Sequence, residues 1–492
     1  MVLVPLQLPP GVFRNGTEYQ SQGRWRDASL VRWIDGTMRP VGGWETRLNL
    51  ISQAPRAALA WQDLAADRWL AAASYGKLVV ATASNVVTDI TPTDLVIGSL
   101  DAPVNTGFGG GFFGLGFYGT ARADTGNYGE ATTWSLDSWG SHLVACSTAD
   151  GRLLEWDLNT AHKAAPISGA PTSCLGLMVT GERFMMALGA SGNPRLVAWS
   201  DRENNTDWNF ASLTNEAGNI ELQTNGQILQ GIRVRGQALL LTDQDAHTAT
   251  YVGPPFVYGF ERVGSACGAT SRRAAVAVDA GAFWMGARSF FHYQGGSVQE
   301  LPCDVADYVF SGISAAQRSK VWAVANSQFG EIWWFYPSGD ATECDSYVSY
   351  NYRENHWSIG KLARTAGVDS GVFRRPILLS TDGIARNHEV GLNYDGAPIY
   401  AETGPIQIGQ GDQVVSAVEL IPDEKTQGDV SATFSTRFHP NDTLRTYGPY
   451  SLANPTPVRF TGRQVTMKIT GARLSDWRFG IPRLDVRPGG RR

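Results

Sequence analysis

Cysteine is scarce in this sequence of 492 residues, and its distribution argues against two kinds of site. The five cysteines are odd in number and lie far apart, at Cys146, Cys174, Cys267, Cys303 and Cys344. Disulfide frameworks use an even set of cysteines, and zinc sites use closely spaced Cys and His ligands. We therefore expect no disulfide framework, no bound metal and a protein that matures in a reducing cytoplasm.

Charged residues and long apolar runs are also limited. Charged residues make up 18% of the chain, with a formal net charge of −5, whereas nucleic-acid binders usually carry a strongly basic face. Residues 458–492 are the exception, with nine Lys or Arg against Asp476 and Asp485. This basic end either meets an acidic partner or phosphate, or forms a solvated edge. From the composition of residues 1–10 and the lack of long apolar runs, we expect no signal peptide and no membrane-spanning segment.

Signatures of catalysis are missing as well. The histidines are scattered, and the sequence contains no H-E-x-x-H pair, G-x-S-x-G elbow or P-loop. Paired carboxylates can hydrolyse glycosidic bonds, and the candidates for such a pair are Asp201, Glu203, Asp207, Asp243 and Asp245. Acidic residues in loops are more often turn formers and solvated caps. We therefore predict no catalytic residue, no cofactor and a protein that is not an enzyme.

Glycine and tryptophan, in contrast, are abundant, with 55 and 16 residues. This composition is typical of short strands joined by tight turns. A turn followed by an apolar run recurs about seven times, at intervals of about 41 to 55 residues after a first interval of about 73. The units are 66–73, 139–146, 180–187, 235–241, 280–286, 329–335 and 370–379. The sequence therefore predicts an all-β fold with a β-propeller of about six or seven blades, with a set of β-sandwiches as the alternative.

The long first interval contains the stretch GGGFFGLGFYG at 109–119. It matches G-x-G-x-x-G twice, but the strand before it and the helix after it that a phosphate-binding loop needs are both missing. We interpret 105–130 as an insertion between blades. Its aromatic residues would be costly to leave in water, which makes them candidate interface residues: Phe108, Phe112, Phe113, Phe117 and Tyr118. The alternative is a loop that folds back on its own domain.

The two ends of the chain do not follow the repeat. The sequence divides into an N-terminal β arm at 1–55, a propeller at 56–394 and a C-terminal β-sandwich at 395–492. Asp-Gly turns at 35–36, 150–151 and 382–383 predict hairpins. Because domain termini often lie near one another, we expect the arm and the sandwich to form one β-rich platform beneath the blades.

One loop is a further candidate for ligand binding. Trp199 and Trp208 flank an Asp/Asn-rich segment at 200–207, and exposed tryptophans can stack on sugar rings, as in a lectin. Packing between blades explains isolated tryptophans more simply. Both interpretations stay open at the level of the sequence.

Several segments together resemble one protein family. They are PGVFRNGTEY at 10–19, GRWRDASLVRW at 23–33, RPVGGW at 39–44, WSDRENNTDW at 199–208, GSACG at 264–268 and WRFGIPRLDV at 477–486. The sequence is similar in these places to the tail nozzle or hub proteins of short-tailed bacteriophages, also called packaged-DNA stabilisation proteins. The similarity covers nearly the whole chain, but its motifs are loose and structural.

The resemblance implies a structural virion protein of the phage tail, assembled in the host cytoplasm. Such a protein forms a homo-oligomeric ring, with six copies as the implied number, below the portal and the head-tail adaptor protein. It closes the DNA channel after packaging and lets double-stranded DNA pass during ejection, with a tail fibre, spike or needle as a further partner. The alternative function is a carbohydrate-binding or glycan-degrading propeller, either free or attached to a tail.

Overall fold

A computed structural model describes residues 2–103, 128–406, 414–439, 442–471 and 475–489. Seven four-stranded sheets follow one another around an axis, and two further sheets form a sandwich. The prediction of a β-propeller with an additional β-rich platform is confirmed.

The N-terminal residues supply strands to three different parts of the molecule. These strands are β1 (Val2–Pro5), β2 (Trp25–Ser29), β3 (Val31–Ile34), β4 (Thr37–Pro40) and β5 (Trp44–Asn49). The turn between β3 and β4 has Asp35 at φ 51° and Gly36 at φ 72°. Two consecutive residues with positive φ are typical of a type I′ turn, which matches the twist of a hairpin. The Asp-Gly hairpin predicted here is confirmed.

Each blade is an antiparallel sheet whose strands follow the chain from the axis outwards. Blade 1 contains β6 (Pro55–Gln62), β7 (Arg68–Ser74), β8 (Leu78–Thr82) and β9 (Val87–Asp89), and blade 2 contains β10 (Trp134–Trp139), β11 (His142–Ser147), β12 (Leu153–Trp156) and β13 (Ala165–Pro166). Blade 3 contains β14 (Gly176–Val179), β15 (Met185–Leu188), β16 (Leu196–Trp199) and β17 (Gly218–Glu221), and blade 4 contains β18 (Ile228–Val234), β19 (Gln237–Thr242), β20 (Asp245–Gly253) and β21 (Val257–Ser265).

The remaining blades are built in the same way. Blade 5 contains β22 (Ala275–Val278), β23 (Gly281–Met285), β24 (Phe290–Gln294) and β25 (Ser297–Leu301), and blade 6 contains β26 (Trp322–Asn326), β27 (Glu331–Tyr336), β28 (Ser346–Asn351) and β29 (His356–Lys361). Blade 7 contains β30 (Ala366–Val368), β31 (Ile377–Leu379) and β32 (Ile384–His388), and its fourth strand is β5. Helix α1 (Ala306–Gly312) and three 3-10 turns, Glu18–Ser21, Ala190–Gly192 and Arg318–Lys320, are the helical segments of the described residues.

The ring of blades closes on itself. Each first strand contacts the first strand of the next blade, and β30 of blade 7 contacts β6 of blade 1. Blade 7 is completed from the other end of the sequence, because β5 pairs with β32 from Trp44 opposite His388 to Asn49 opposite Ile384. The segment predicted as an N-terminal arm at 1–55 thus also supplies the strand that closes the ring.

The C-terminal residues form the sandwich together with β1 and β2. Its strands are β33 (Tyr400–Thr403), β34 (Val415–Ile421), β35 (Val430–Arg437), β36 (Arg445–Ser451), β37 (Thr456–Gly462), β38 (Gln464–Gly471) and β39 (Arg483–Pro488). One sheet has the order β1-β39-β34-β37 and the other β2-β33-β38-β35-β36. Side chains from both sheets fill the space between them, for example Phe434 stacked on Phe460 with ring centroids 4.8 Å apart.

The platform, defined as β1 to β4 and β33 to β39, lies at the rim of the propeller against the outer strand of blade 6. Strand β2 contacts β29, the Val12 amide donates to the Trp357 carbonyl at 2.7 Å and the Leu30 amide donates to Tyr347 Oη at 3.0 Å. One buried apolar cluster runs from the platform into blades 5 and 6. An outer strand that would otherwise be an open edge is therefore covered.

No helix in the described part of the chain has the length and apolar character needed to span a bilayer.

Candidate functional site: the central channel and its mouth

The aromatic residues predicted as an interface, Phe108, Phe112, Phe113, Phe117 and Tyr118, lie outside the described residues. The structure does show where their segment leaves and rejoins the propeller. The Gly129 amide donates a 2.7 Å hydrogen bond to the Pro103 carbonyl. The two ends of segment 104–127 therefore meet at one point, and we call the flanking residues 98–103 and 128–133 the stem.

The stem lies across the end of the propeller at which the first strands of the blades begin, which we call the mouth. The Ala102 amide donates to Gln317 Oε1 at 3.1 Å, and the Ala131 amide donates to Ser319 Oγ at 3.1 Å. Both acceptors belong to the segment that leads into blade 6. The stem thus runs from blade 2 to blade 6, on the opposite side of the axis.

One ion pair and two further side-chain hydrogen bonds fix the stem to three other blades. Arg272, directly before blade 5, donates Nε–H to Glu130 Oε2 at 2.9 Å, and Gln227, before blade 4, donates to the other oxygen of Glu130 at 3.1 Å. Arg56 of β6 donates to the Leu100 carbonyl at 2.9 Å. Charge-assisted hydrogen bonds are stronger than neutral ones, so the stem is held firmly at the mouth.

Lys320 is the most deeply buried cation at the mouth, with a side chain only 1% exposed. Its Nζ contacts Asp101 Oδ1 of the stem at 2.5 Å and Glu343 Oε1 at 3.2 Å, and donates to the Thr342 carbonyl at 2.6 Å. Glu343 also receives two hydrogen bonds from Arg56, at 2.8 and 2.6 Å. The desolvated charges therefore balance one another locally.

Behind the mouth lies a central channel of about 580 Å³, lined by the first strands of all seven blades. Most lining side chains are small or apolar, and the charged ones are Asp137, Arg233, Arg272, Arg273 and Asp369. At ~30 Å³ for each molecule in the liquid, the volume corresponds to about twenty waters. The channel is large enough for a small ion or metabolite, and far too small for a nucleic-acid duplex.

Two carboxylates, those of Asp137 and Asp369, line the channel away from the mouth, and both accept hydrogen bonds from other groups. Asp137 accepts hydrogen bonds from Arg233 Nη2 and from the Val179 amide, both at 2.9 Å. Burial nevertheless raises the pKa of Asp137, because the loss of water outweighs the Arg233 charge and the hydrogen bonds. Asp369 accepts hydrogen bonds from the Ser327 amide at 3.1 Å and hydroxyl at 2.5 Å. Both carboxylates are thus engaged by groups other than Arg273.

The five acidic residues proposed for a glycosidase pair do not converge on the channel. Asp201 accepts a hydrogen bond from the Glu216 amide, Asp207 from the Asn209 amide, and both lie with Glu203 in the loop between β16 and β17. Asp243 and Asp245 lie at the β19–β20 turn of blade 4, and Asp245 accepts the Thr224 hydroxyl at 2.9 Å. None of the five lines the central channel. The four aspartates each hold a turn or loop, which is how Asp commonly stabilises local backbone. Glu203 is exposed.

The tryptophans of the candidate lectin loop belong to the core. Trp199 and Trp208 are 6% and 7% exposed, and their Nε1 groups donate to the Glu216 and Asn205 carbonyls at 2.9 and 2.7 Å. Trp199 also packs edge-to-face on Tyr258 with ring centroids 5.6 Å apart. Their faces are covered by protein, so they offer no platform for a sugar ring. The packing interpretation of these two residues is confirmed.

Metal ligands and thiols give no further site. In the described ranges, no group of three or more His, Cys, Asp and Glu residues is arranged to hold a metal ion. All five cysteines are free, and four of them are buried. Burial raises the pKa of Cys174 to about 12 and that of Cys267 to about 11. Thiols with such pKa values are almost entirely protonated at neutral pH and react poorly.

Comparison with known proteins shows no family. No protein-family model matches the sequence, and no curated protein matches it. Solved structures with a similar fold include a virginiamycin B lyase from Staphylococcus aureus, with 6% identity, a TM-score of 0.43 and coverage of 70% of this chain and 99% of that chain. The WD40 β-propeller domain of Doa1 has 12% identity, a TM-score of 0.40 and coverage of 70% and 97%. PorZ of the Porphyromonas gingivalis type-IX secretion system has 7% identity, a TM-score of 0.38 and coverage of 76% and 44%. At these identities the likeness concerns the propeller fold alone.

Proposed function

We propose that this chain is a structural virion protein, the tail nozzle or hub of a short-tailed bacteriophage. In this role copies of the chain form a ring, six being the number that the family resemblance implies, below the portal and the head-tail adaptor protein. The ring closes the DNA channel after packaging and guides the genome out during infection. The proposal places the protein in the tail of the virion, after assembly in the host cytoplasm, and gives it no catalytic role.

The observation that carries the proposal is the way in which the resembling segments meet. Segments 10–19, 23–33, 39–44 and 477–486 lie at opposite ends of the sequence, yet they share the platform. Met38 and Phe479 exchange backbone hydrogen bonds of 3.1 and 2.9 Å. Trp25 contacts Phe479 and Trp33 with ring centroids 6.3 and 6.1 Å apart. Four of the six resembling segments, taken from both ends of the sequence, pack into one unit, whereas 199–208 and 264–268 lie in blades 3 and 4. This packing supports a common platform, since unrelated matches would have no reason to converge.

The size of the central channel favours a ring over a single-subunit conduit. A space of about 580 Å³ is too small for a duplex to pass along the propeller axis, and the stem lies across its mouth. A conduit for DNA therefore has to lie between copies of the chain. Closed rings of one protein arise from head-to-tail interfaces, which the propeller rim and the platform have room to provide.

The net charge of −5 fits a conduit better than a DNA-binding protein. Each phosphate held by Lys or Arg releases counterions and adds salt-dependent adhesion. An acidic ring would let the genome slide during ejection. The adaptor protein and a tail fibre, spike or needle are the partners that this position below the portal implies.

The decisive experiment measures the mass and shape of the purified full-length chain. Light scattering and electron microscopy are applied to the chain alone and after mixing with the adaptor protein of the same phage. A closed ring in either condition, with a bore wider than a DNA duplex, supports the proposal. A monomer in both conditions that binds or cleaves bacterial polysaccharide contradicts it and favours the carbohydrate-active alternative. Imaging of virions with a label on the C-terminus provides an independent test, because the label has to appear below the adaptor.

A further inference from the structure

Arg273 has a fixed place at the mouth of the central channel. It directly precedes β22, and its carbonyl accepts the Ala323 amide at 2.8 Å, which ties it between blades 5 and 6. Its side chain is partly exposed, and it lines the channel. The backbone of Arg273 is therefore fixed by two blades, and its side chain lies at the inner surface of the channel.

This guanidinium is the one channel cation without an anionic partner among the described residues. Arg233 pairs with Asp137 and Arg272 pairs with Glu130, both at 2.9 Å. Arg273 makes one side-chain hydrogen bond, from Nη1 to the Trp134 carbonyl at 3.4 Å, which is longer than the usual 2.7–3.2 Å. Most of its five N–H donors are left over.

The lack of an anionic partner is reflected in the pKa of Arg273. Burial alone lowers the pKa of Arg273 to about 10, because water is removed from the charge and no nearby carboxylate compensates. Three buried cations, Arg32, Arg56 and Lys320, are each paired with a carboxylate, whereas Arg273 is partly exposed to the channel and has no such partner. A cation that has no anionic partner in the protein and faces a cavity points to a bound anion as its partner.

We propose that the mouth end of the central channel binds a small oxyanion, either a phosphate or a carboxylate, through the guanidinium of Arg273. The planar fork of an arginine matches both anions with two parallel hydrogen bonds. The channel carboxylate of Asp137 is three residues further along β10 than Trp134, about 10 Å at the rise of a strand. The carboxylates at the mouth are paired with other cations, Glu130 with Arg272 and both Asp101 and Glu343 with Lys320. The channel admits an anion of this size and excludes larger polyanions.

The side chains around Arg273 are consistent with this assignment. Gln230 is already occupied, because its Nε2 donates to the Ala275 carbonyl at 3.0 Å and its Oε1 accepts the Ala275 amide at 3.1 Å. Its carbonyl oxygen therefore does not compete for the guanidinium. The apolar residues Val276 and Val324 line the neighbouring wall. An ion pair in such surroundings is screened less than one at the surface.

The test uses the full-length protein in a buffer free of phosphate and carboxylate. Thermal unfolding is followed while phosphate, acetate or chloride is added at constant ionic strength, and binding of the effective anion is then measured by calorimetry. The variant is Arg273→Met, and the control is Arg262→Met, because Arg262 is exposed on β21. Comparing phosphate with acetate distinguishes the two oxyanions.

We expect the melting temperature of the wild type to rise with phosphate or acetate and to saturate, while chloride has little effect. Arg273→Met should bind the anion at least about tenfold more weakly, the loss expected for a charge-assisted hydrogen bond. Without the anion its melting temperature should equal or exceed that of the wild type, because an uncompensated buried charge has been removed. Arg262→Met should respond like the wild type.

Three results would overturn the proposal: no saturable binding of either oxyanion by the wild type, an unchanged response in Arg273→Met, or an equal response to chloride. If Arg273→Met does not fold, Arg273→Lys and the wild-type calorimetry decide. A lysine keeps the charge but loses the fork, so it should retain weakened binding.

Discussion

Replacing Arg32 with Met should destabilise the junction between the platform and the propeller more than any surface substitution. Arg32 is 3% exposed and contacts Glu331 of blade 6 at 2.9 Å and Glu389, just after blade 7, at 2.6 Å. Its guanidinium also lies 3.7 Å from the centroid of the Phe329 ring. One residue of β3 thus binds the platform to two blades.

The expected loss of unfolding free energy comes from the two carboxylates that the substitution leaves without a counter-charge. Methionine fills a similar volume, so the cavity term is small. Glu331 and Glu389 remain buried next to each other without a counter-charge, and removing one partner of a buried pair costs about 3–5 kcal/mol. Since the total free energy of unfolding of a domain is about 5–15 kcal/mol, we expect a marked fall in stability.

The loss should also depend on pH in a defined direction. Burial already raises the pKa of Glu331 in the wild type, with Arg32 acting against the increase. Without Arg32 the folded state holds the pKa of Glu331 further above that of the unfolded chain, and so binds more protons. Stability then falls as the pH rises through this raised pKa. The variant should be most destabilised near pH 8 and should recover towards pH 5.

The assay is denaturant unfolding of the wild type and variant at several pH values, followed by tryptophan fluorescence. Lys163→Met is the control, because Lys163 and Asp89 form an exposed pair at 3.3 Å, for which we expect less than about 1 kcal/mol. Replacing Glu331 and Glu389 by Gln in the Arg32→Met background should restore part of the lost stability. A loss below about 1 kcal/mol at pH 8, or one that does not change with pH, would refute the reasoning.

Three further predictions concern the core, the stem and the thiols. Trp333→Ala should cost about 3–5 kcal/mol of unfolding free energy as a large-to-small core change, because the Trp333 ring stacks on that of Tyr347 with centroids 4.4 Å apart. The control Phe256→Ala, at an exposed position, should leave the stability nearly unchanged. Replacing 104–127 by a short Gly-Ser linker should leave the melting temperature unchanged and impair ring assembly in light scattering; a collapse of folding would show that the segment is core. The buried thiols, among them Cys174, should react with a thiol reagent at pH 8 only after unfolding, and fast reaction of the native protein would contradict their burial.

The propeller could be predicted because its local chemistry repeats. Each of the repeated sequence units overlaps the second strand of a blade, as 329–335 overlaps β27 and 235–241 overlaps β19. Second strands are buried on both faces, so they appear as apolar runs, and the turn that precedes each of them needs glycine or a polar residue. Strand and turn signals of this kind are local, and a sequence pattern records them directly.

The closure of the ring could not be predicted in the same way. Strand β5 pairs with β32, although Trp44 and His388 lie at opposite ends of the propeller sequence. The pairing of β1 with β39 and of β2 with β33 is equally remote. The sequence of a short strand does not identify the strand with which it pairs, because register depends on which apolar faces meet in three dimensions. The rim position of the platform follows from these pairings.

The residues of the channel were missed for a different reason. Asp137 and Arg233 lie within strands and match no catalytic or metal-binding motif. The one signal was the pair Arg272-Arg273 directly before the apolar strand β22, since two charges at the start of a buried strand have to find partners. Only the structure shows that Arg272 has such a partner and Arg273 does not. The predicted interface at Phe108 and its neighbours stays a prediction.

Ion pairs join parts of this chain that are far apart in the sequence, as disulfides do in other proteins. Arg32 reaches Glu331, Arg56 reaches Glu343, and Lys320 reaches Asp101, each joining parts of the chain more than two hundred residues apart. Buried ion pairs add little net stability compared with well-packed apolar residues. They do penalise every alternative arrangement, because a displaced charge would be buried without a partner. In a propeller whose blades resemble one another, we infer that these cations select the correct blade for the platform and for the stem. Apolar contacts alone would not distinguish one blade from the next.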